Sequence, residues 1–562
     1  MRLFKKKFRQ VEIDLDEIFM DSHNIPQFDT QQFEGRIETS ISKKSIVVLG
    51  TFFIAILLIF CWKLNSLQIV KGESYFTISE RNSLNGHILF ADRGIIYDRY
   101  GVELSWNEQK EEENSFGKRA YIDKGGFGLL LGYVDSPKKD KFGFWWQEEF
   151  KGLDGLEKYY DGTLNGTNGS KIIEKNAVGE IESENITNEP IHGQNLITSI
   201  DSGLQSAVYD AIVDLSGRVG YEGGVGIVMD VSTGEIITAT SYPEYSPEIM
   251  SNGGDKEIVK QYLVDTRKPF LNRPLSGLYS PGSIVKPFLA LGALNENLIT
   301  KDTTIYSKGY IEIPNPYNPD QPTIFRDWRE EGHGTVNVVR AIGDSVNTFF
   351  YAIGGGYNGQ PGLGISKIEE YIKMFGIGEK TGVDLGGEVV GVVPDPEWKK
   401  KFFKGEVWRV GDTYNTSIGQ YGFQVTPIQM VRAISAIANN GVMIKPSFSL
   451  ESISQPERVK EEISPEDYET VKMGMRNVVE AGTGGLMNVG YVNVAAKTGT
   501  AQTGLNNKFI NSWSVGFFPY ENPKYAFVMM TEKGSSESEL SASFVSRAML
   551  DWIHINRPEY FE

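Results

Sequence analysis

Three short segments carry side chains capable of covalent chemistry. Ser283-Ile284-Val285-Lys286 places a hydroxyl and an amine three residues apart, at the start of the apolar run PFLALGALNENL. Positions i and i+3 share one face of a helix, so the Lys286 amine can reach the Ser283 hydroxyl and, if desolvated enough to be neutral, remove its proton. A helix N-terminus at this point favours negative charge developing on Ser283. An N-capping serine followed by a solvated lysine has the same spacing. Ser345-Val346-Asn347 falls between the helix-like runs VVRAIGD and TFFYAIG, where a hydroxyl and an amide can project into a cleft; ordinary helix-boundary residues look alike. Lys497-Thr498-Gly499-Thr500 follows the strand-like YVNVAA, and Gly499 leaves an edge strand open to close approach by a substrate backbone, although alone the segment reads as a turn.

The elements that must position these groups are legible from about Gly193 onward. SIDSGLQSAVYDAIVDL reads as a helix capped by Asp201 or Ser202, and GGVGIVMDVSTGEIITATSY as two β-rich runs around Ser232-Thr233-Gly234. NSWSVGFFPYENP and KYAFVMMTEK give strand, Pro-containing turn and strand, and an amphipathic stretch at Leu540–Ile553 closes the chain. Strands at both ends with helical segments between them predict an α+β fold, an antiparallel sheet covered by helices. Between residues 85 and 192 the turn signals ADRG, DRYG and LNGTNG predict a modest, irregular β-rich domain. No repeat of fixed period is present.

Charge and hydropathy divide the chain again. Of 562 residues, 56 are Lys or Arg and 73 Asp or Glu, a net charge of −17 that disfavours a nucleic acid partner. Cys61 is the only cysteine and the five histidines stand singly, which excludes an intramolecular disulfide and a Cys-ligated zinc cluster. Residues 1–44 hold eight basic and eight acidic side chains and Ser45–Trp62 holds none, so the whole excess of acid lies in residues 63–562. As a helix those 18 uncharged residues extend roughly 27 Å, about one hydrocarbon core. Forty-four residues precede them and no A-x-A-like site follows, so an uncleaved anchor is expected rather than a signal peptide. Basic residues tie across the span, with Arg36, Lys43 and Lys44 against Lys63, Lys71 and Arg81; the short tail with Arg2, Lys5, Lys6, Lys7 and Arg9 favours an inside N-terminus. The tail segment Val11–Ser22 reads as a solvated acidic stretch.

Taken together and in this order, the three chemical segments match the set used by penicillin-binding proteins and class A β-lactamases. From about residue 85 to its end the chain is similar to class B penicillin-binding proteins. RNSLNGHILFADRGIIYDRYGVEL, GLDGLEKYYDGTLNGTNG, LNRPLSGLYSPGSIVKPF, AAKTGTAQT and SWSVGFFP carry the resemblance. Arg326-Asp327-Trp328, Gly332-His333-Gly334, FGIGEKTGVDL, WRVGDTYNTSIGQ and VTPIQM look most like the elongation-type members, the septal members being the nearest rival. The resemblance also favours the inside N-terminus, and divides the chain into a tail (1–44), an anchor helix (45–62), a pedestal or dimerisation domain (63–192) and a transpeptidase domain (193–562).

The resemblance implies a peptidoglycan D,D-transpeptidase in the cytoplasmic membrane, its catalytic domain outside. Ser283 is then the acylated nucleophile and Lys286 its general base, attacking the penultimate D-Ala carbonyl of a stem pentapeptide; an amine of a neighbouring stem resolves the acyl-enzyme. Ser345 relays the proton to the leaving group, Asn347 holds the acyl chain's amide, Lys497 supplies positive potential beside Ser345, Thr498 and Thr500 bind the terminal carboxylate, and Gly499 belongs to the same substrate-binding segment. The backbone N–H groups of Ser283 and Thr500 form the oxyanion hole. β-Lactams, as mimics of D-Ala-D-Ala, are expected to acylate Ser283. No cofactor is expected. Some elongation-type members hold a structural zinc through acidic residues, a histidine and a cysteine; Asp327 and His333 are present, but the cysteine position is Val346, so no metal is expected and His333 is expected to be a hydrogen-bonded structural residue. Val346 is expected beside the cleft. The head of the pedestal, Asn107 to Gly128, is short. No E-D-x-x-F-x-x-H pattern of a glycosyltransferase occurs before residue 200, so the expected partner is a SEDS-family polymerase of an elongation complex. A D,D-carboxypeptidase, a β-lactamase and a non-catalytic penicillin sensor are the competing readings.

Overall fold

The computed structural model describes residues 43–72, 84–109, 115–175, 181–251, 253–315, 318, 320–452, 454–459, 463–504, 508–538 and 540–562. The tail segment Val11–Ser22 and residues 110–114 of the short head lie outside them. The chain divides into two units, residues 1–85 with 174–183, and residues 86–173 with 184–562. In the first, helix α1 (Lys43–Asn65) contains the uncharged run, buries none of its residues and continues as a π-turn through Val70. Together, Lys43–Val70 is long and apolar enough to cross a membrane.

The second unit begins with a small sheet in the order β4-β1-β2-β3, formed by β1 (Ile96–Tyr97), β2 (Glu103–Asn107), β3 (Arg119–Tyr121) and, pairing in parallel with β1, β4 (Leu196–Ile197). Its interior is charged. Glu157, wholly buried, accepts from Arg93 Nε and Arg119 Nε, each at 2.7 Å, and from Ser105 Oγ at 3.0 Å. Burial pushes the Glu157 carboxyl up, but the two guanidiniums outweigh it and leave its pKa below the usual carboxylate value.

Beyond residue 200, helix α2 (Ser202–Val219) starts at Asp201, whose carboxylate accepts from Gly203 N and Leu204 N and so fills orphan helix donors. It leads into β5 (Gly223–Asp230) and β6 (Ile236–Tyr242), the hairpin read from the sequence. Strands β7 (Tyr310–Ile313) and β8 (Thr323–Arg326) pair antiparallel. The C-terminal strands β9 (Ala495–Thr503), β10 (Phe509–Phe518) and β11 (Tyr525–Ser535) join the first hairpin in one antiparallel sheet ordered β6-β5-β11-β10-β9. Strand alternation sorts the apolar side chains onto two faces. Val225, Ile227, Ala526, Val528 and Met530 join the larger core on one face, whereas Val228, Phe527 and Met529 join the core beneath α2 and the last helix, Ala542–Asn556, on the other. Both faces are covered, which explains why the strands read as continuous apolar runs rather than alternating ones.

Candidate active site

Ser283 lies in a single 3-10 turn, Gly282–Val285, which runs directly into helix α3 (Lys286–Asn295). Three contacts fix this turn. Trp513 Nε1 on β10 donates to Ser280 O at 3.0 Å, Tyr279 and Val425 exchange two backbone hydrogen bonds, and Gly282 N donates to Gly419 O at 3.0 Å. Gly419 has φ +73°, and a Cβ there would stand 2.2 Å from Gly282 O. On the other side of the turn β9 passes so closely that a Cβ on Gly499 would stand 2.9 Å from Ile284 Cγ2. The turn that carries Ser283 is thus wedged between two glycines at which a Cβ would clash.

Ser345 and Asn347 sit where α4 (Val338–Gly343) gives way to α5 (Asn347–Gly355). Ser345 has φ +55°, a left-handed conformation that turns its hydroxyl toward the floor of the cleft. Lys286 Nζ donates to Ser345 O at 2.7 Å, Asn347 Oδ1 at 2.7 Å and Ser345 Oγ at 3.2 Å; Lys497 Nζ donates to the same Ser345 Oγ at 3.0 Å and to Thr498 O at 2.7 Å. Both amines are fully buried. Burial lowers the Lys286 pKa to about 7, opposed by the Asp327 carboxylate, and burial together with the charge of Lys286 lowers that of Lys497 well below its ordinary value.

These groups open onto a cleft of about 920 Å³ whose walls include Ser283, Ser345, Asn347, Thr498, Gly499 and Thr500. The residues read from the sequence therefore converge on one site, with four differences. KTGT lies on an edge strand, as read, but that strand, β9, starts only at Ala495, so the YVNV of the strand-like run is outside it. Lys286 spends its donors on Ser345 and Asn347, and no hydrogen bond joins it to the Ser283 hydroxyl among the described residues, because α3 begins at Lys286 and aims that side chain across to the α4–α5 junction. Val346 is buried in the core instead of lining the cleft, because the side chains on either side of it, Ser345 and Asn347, take the cleft face. The His333 ring is buried with neither nitrogen hydrogen-bonded, its Nε2 3.5 Å from Asp327 Oδ1 and its Nδ1 4.0 Å from Asp344 Oδ2, while the backbone N–H donates to Ser307. Asp327 is already engaged by Thr348 N, Thr348 Oγ1 and Trp328 N. The two carboxylates face opposite ring nitrogens of His333 and Val346 offers no ligand, so the described residues do not fit a tetrahedral zinc.

Asp327, the Gly419 loop and Trp513 are positioning groups that residue spacing alone did not reveal. Thr483 is another: its hydroxyl bonds that of Thr498 from a loop outside all three segments.

Comparison with known proteins gives independent findings. Residues 224–550 match the penicillin binding protein transpeptidase domain, and residues 115–198 the penicillin-binding protein dimerisation domain. Peptidoglycan D,D-transpeptidase MrdA of Haemophilus influenzae is 30% identical over 483 residues, 80% of this chain and 71% of that protein. Among solved structures, the complex between penicillin-binding protein PBP2 and MreC from Helicobacter pylori aligns with TM-score 0.70 at 28% identity, covering 84% of this chain and 99% of that one. Pseudomonas aeruginosa PBP2 in complex with WCK 5153 aligns with TM-score 0.68 at 30% identity, covering 84% and 97%.

Proposed function

The chain belongs to the penicillin-binding protein transpeptidase family, and from that premise we propose that it is an elongation-type peptidoglycan D,D-transpeptidase acting through an acyl-enzyme on Ser283. One observation carries the reading: Lys286, Ser345, Asn347 and Lys497 form one hydrogen-bonded cluster at the floor of a cleft that Ser283 lines beside an edge strand.

The chemistry follows from the charges. A lysine with pKa about 7 is about half neutral at neutral pH and can accept the Ser283 proton as Oγ attacks the penultimate D-Ala carbonyl. The developing oxyanion takes hydrogen bonds from the backbone N–H groups of Ser283 and Thr500, an arrangement of which one donor is worth about 3–4 kcal/mol of barrier. Collapse breaks the bond to the terminal D-Ala, whose amine receives the proton through Lys286 and Ser345. An acceptor amine from a second stem then attacks the ester, gives its proton back along the same route and releases Ser283. Asn347 holds the acyl chain's amide, and Thr498, Gly499 and Thr500 receive the donor's extended end and its carboxylate along the open edge of β9.

β-Lactams would acylate the same Ser283. Helix α1 anchors the protein in the cytoplasmic membrane, with residues 1–44 inside and the pedestal (63–192) and transpeptidase domain (193–562) outside. The partners we assign are a SEDS-family polymerase and, by analogy with the Helicobacter complex, an MreC-type protein of the elongation machinery. The test is depletion of the protein in cells followed by microscopy: rounding supports the elongation role, and filamentation would assign the chain to septal synthesis.

A further inference from the structure

A cleft in an acidic protein that binds a carboxylate-rich peptide needs a cation within reach of solvent. Lys286 and Lys497 do not meet that need, because both lie fully buried beneath the cleft floor with their protons committed to Ser345, Asn347 and Thr498 O. Among the described residues that line the cleft, Arg326 is the one basic side chain.

Arg326 is the last residue of β8 and lines the cleft. Its inward neighbours fix it from both sides. Phe325 packs edge-on against Tyr351 and Tyr414, and Asp327 turns inward to Thr348. Tyr351 OH donates to Arg326 O at 3.2 Å, which holds the backbone. Arg326 and Trp328 both line the cleft, and the Trp328 indole, 58% exposed, is oriented by its Nε1 bond to Asp344 O. Arg340, Lys308 and Arg329 on neighbouring segments are all paired with carboxylates, whereas the Arg326 guanidinium makes no hydrogen bond or ion pair among the described residues. Leaving a guanidinium unpaired on a held strand, beside an exposed aromatic face in a peptide cleft, suits capture of a planar carboxylate whose carbon chain lies on the ring.

We propose that Arg326, with Trp328 beside it, is a subsite for a free carboxylate of the stem peptide upstream of D-Ala-D-Ala, and so makes the enzyme select non-amidated stems. The inference rests on the transpeptidase reading above. Two stem positions can supply this group: the α-carboxylate of a γ-linked D-glutamate at the second residue, and the side-chain carboxylate of a diamino diacid at the third.

The experiment uses the full chain in detergent micelles. L-Ala-γ-D-Glu-meso-diaminopimelyl-D-Ala-D-Ala competes with a fluorescent penicillin for labelling, as the free form, as each singly amidated form and as the doubly amidated form. The labelling rate of each protein without competitor is its own reference. The wild type is expected to bind the free form about tenfold better than the doubly amidated form, the size of one exposed charge-assisted contact; the singly amidated forms identify which carboxylate is read. Arg326→Gln should abolish this preference and Arg326→Lys should retain part of it. Free and amidated peptides that compete equally with the wild type, peptides that do not compete at all, or a preference that persists in Arg326→Gln would overturn the proposal. A wild type that no penicillin labels would instead overturn the transpeptidase reading.

Discussion

Lys286 and Lys497 aim their amines at the same oxygen, Ser345 Oγ, at 3.2 and 3.0 Å. Two buried ammonium groups at such range repel each other, and their burial penalises charge on both, so the pair tends to hold fewer than two protons. A hydroxyl between two amines of this kind can pass a proton either way. In the mechanism we propose, this geometry supplies general base and then general acid catalysis.

The rate of Ser283 acylation should accordingly rise with pH through about 7. In the proposed mechanism neutral Lys286 is the active form, and burial lowers its pKa to about 7, with the Asp327 carboxylate limiting the fall. Rates of fluorescent penicillin labelling between pH 5 and 9 are expected to climb roughly tenfold per unit on the acid side and level above about 7. Lys286→Arg, which stays protonated throughout, should show no such limb.

Ser345 is held at φ +55°, where a Cβ is unfavourable by about 1 kcal/mol and glycine is not. Ser345→Ala and Ser345→Gly both remove the shared hydroxyl and should slow acylation about 10²–10⁴-fold. Thermal melts should separate them, with Ser345→Gly the more stable of the two. Equal acylation by wild type and Ser345→Gly would remove the hydroxyl from the proton route.

Gly419 supports the turn that carries Ser283. Its φ of +73° and the 2.2 Å approach of a Cβ to Gly282 O mean that Gly419→Ala must displace the turn carrying Ser283. Displacement of a catalytic group by even about 1 Å can cost 10²-fold in rate. Acylation by penicillin should therefore fall much further than the melting temperature does.

In the pedestal, Glu157→Gln strips the compensating charge from the buried Arg93 and Arg119. The expected loss is about 3–5 kcal/mol of stability, read as a lowered denaturant midpoint. Because the folded pKa of Glu157 is depressed, its stabilisation is fully present above the unfolded carboxylate range and is lost as pH falls through the folded value. The difference between wild type and Glu157→Gln should shrink correspondingly on acidification.

What was legible in the sequence divides along local and non-local lines. The caps and hairpins, such as Asp201 before α2 and the turn at Ser232-Thr233-Gly234, depend on neighbours in sequence, and the structure places them as read. The three chemical segments were found by motif, and their convergence is a property of the topology: β9 is at the sheet edge only because β10 and β11 lie between it and the first hairpin. Which partners a buried side chain takes was not legible. The choice of Lys286 for Ser345 and Asn347, the inward turn of Val346 and the unbonded ring of His333 are set by contacts between residues far apart in the chain. Arg326 illustrates the same limit, since its vacant guanidinium is meaningful only once its neighbours are seen to be paired.

The proposed mechanism requires a covalent bond between Ser283 and the acyl donor. Intact mass and peptide mapping of the full-length protein after exposure to benzylpenicillin test it directly. A single adduct of one penicilloyl mass on the peptide containing Ser283, absent from Ser283→Ala, is the predicted result. An adduct on another residue, or equal labelling of the Ser283→Ala protein, would contradict it.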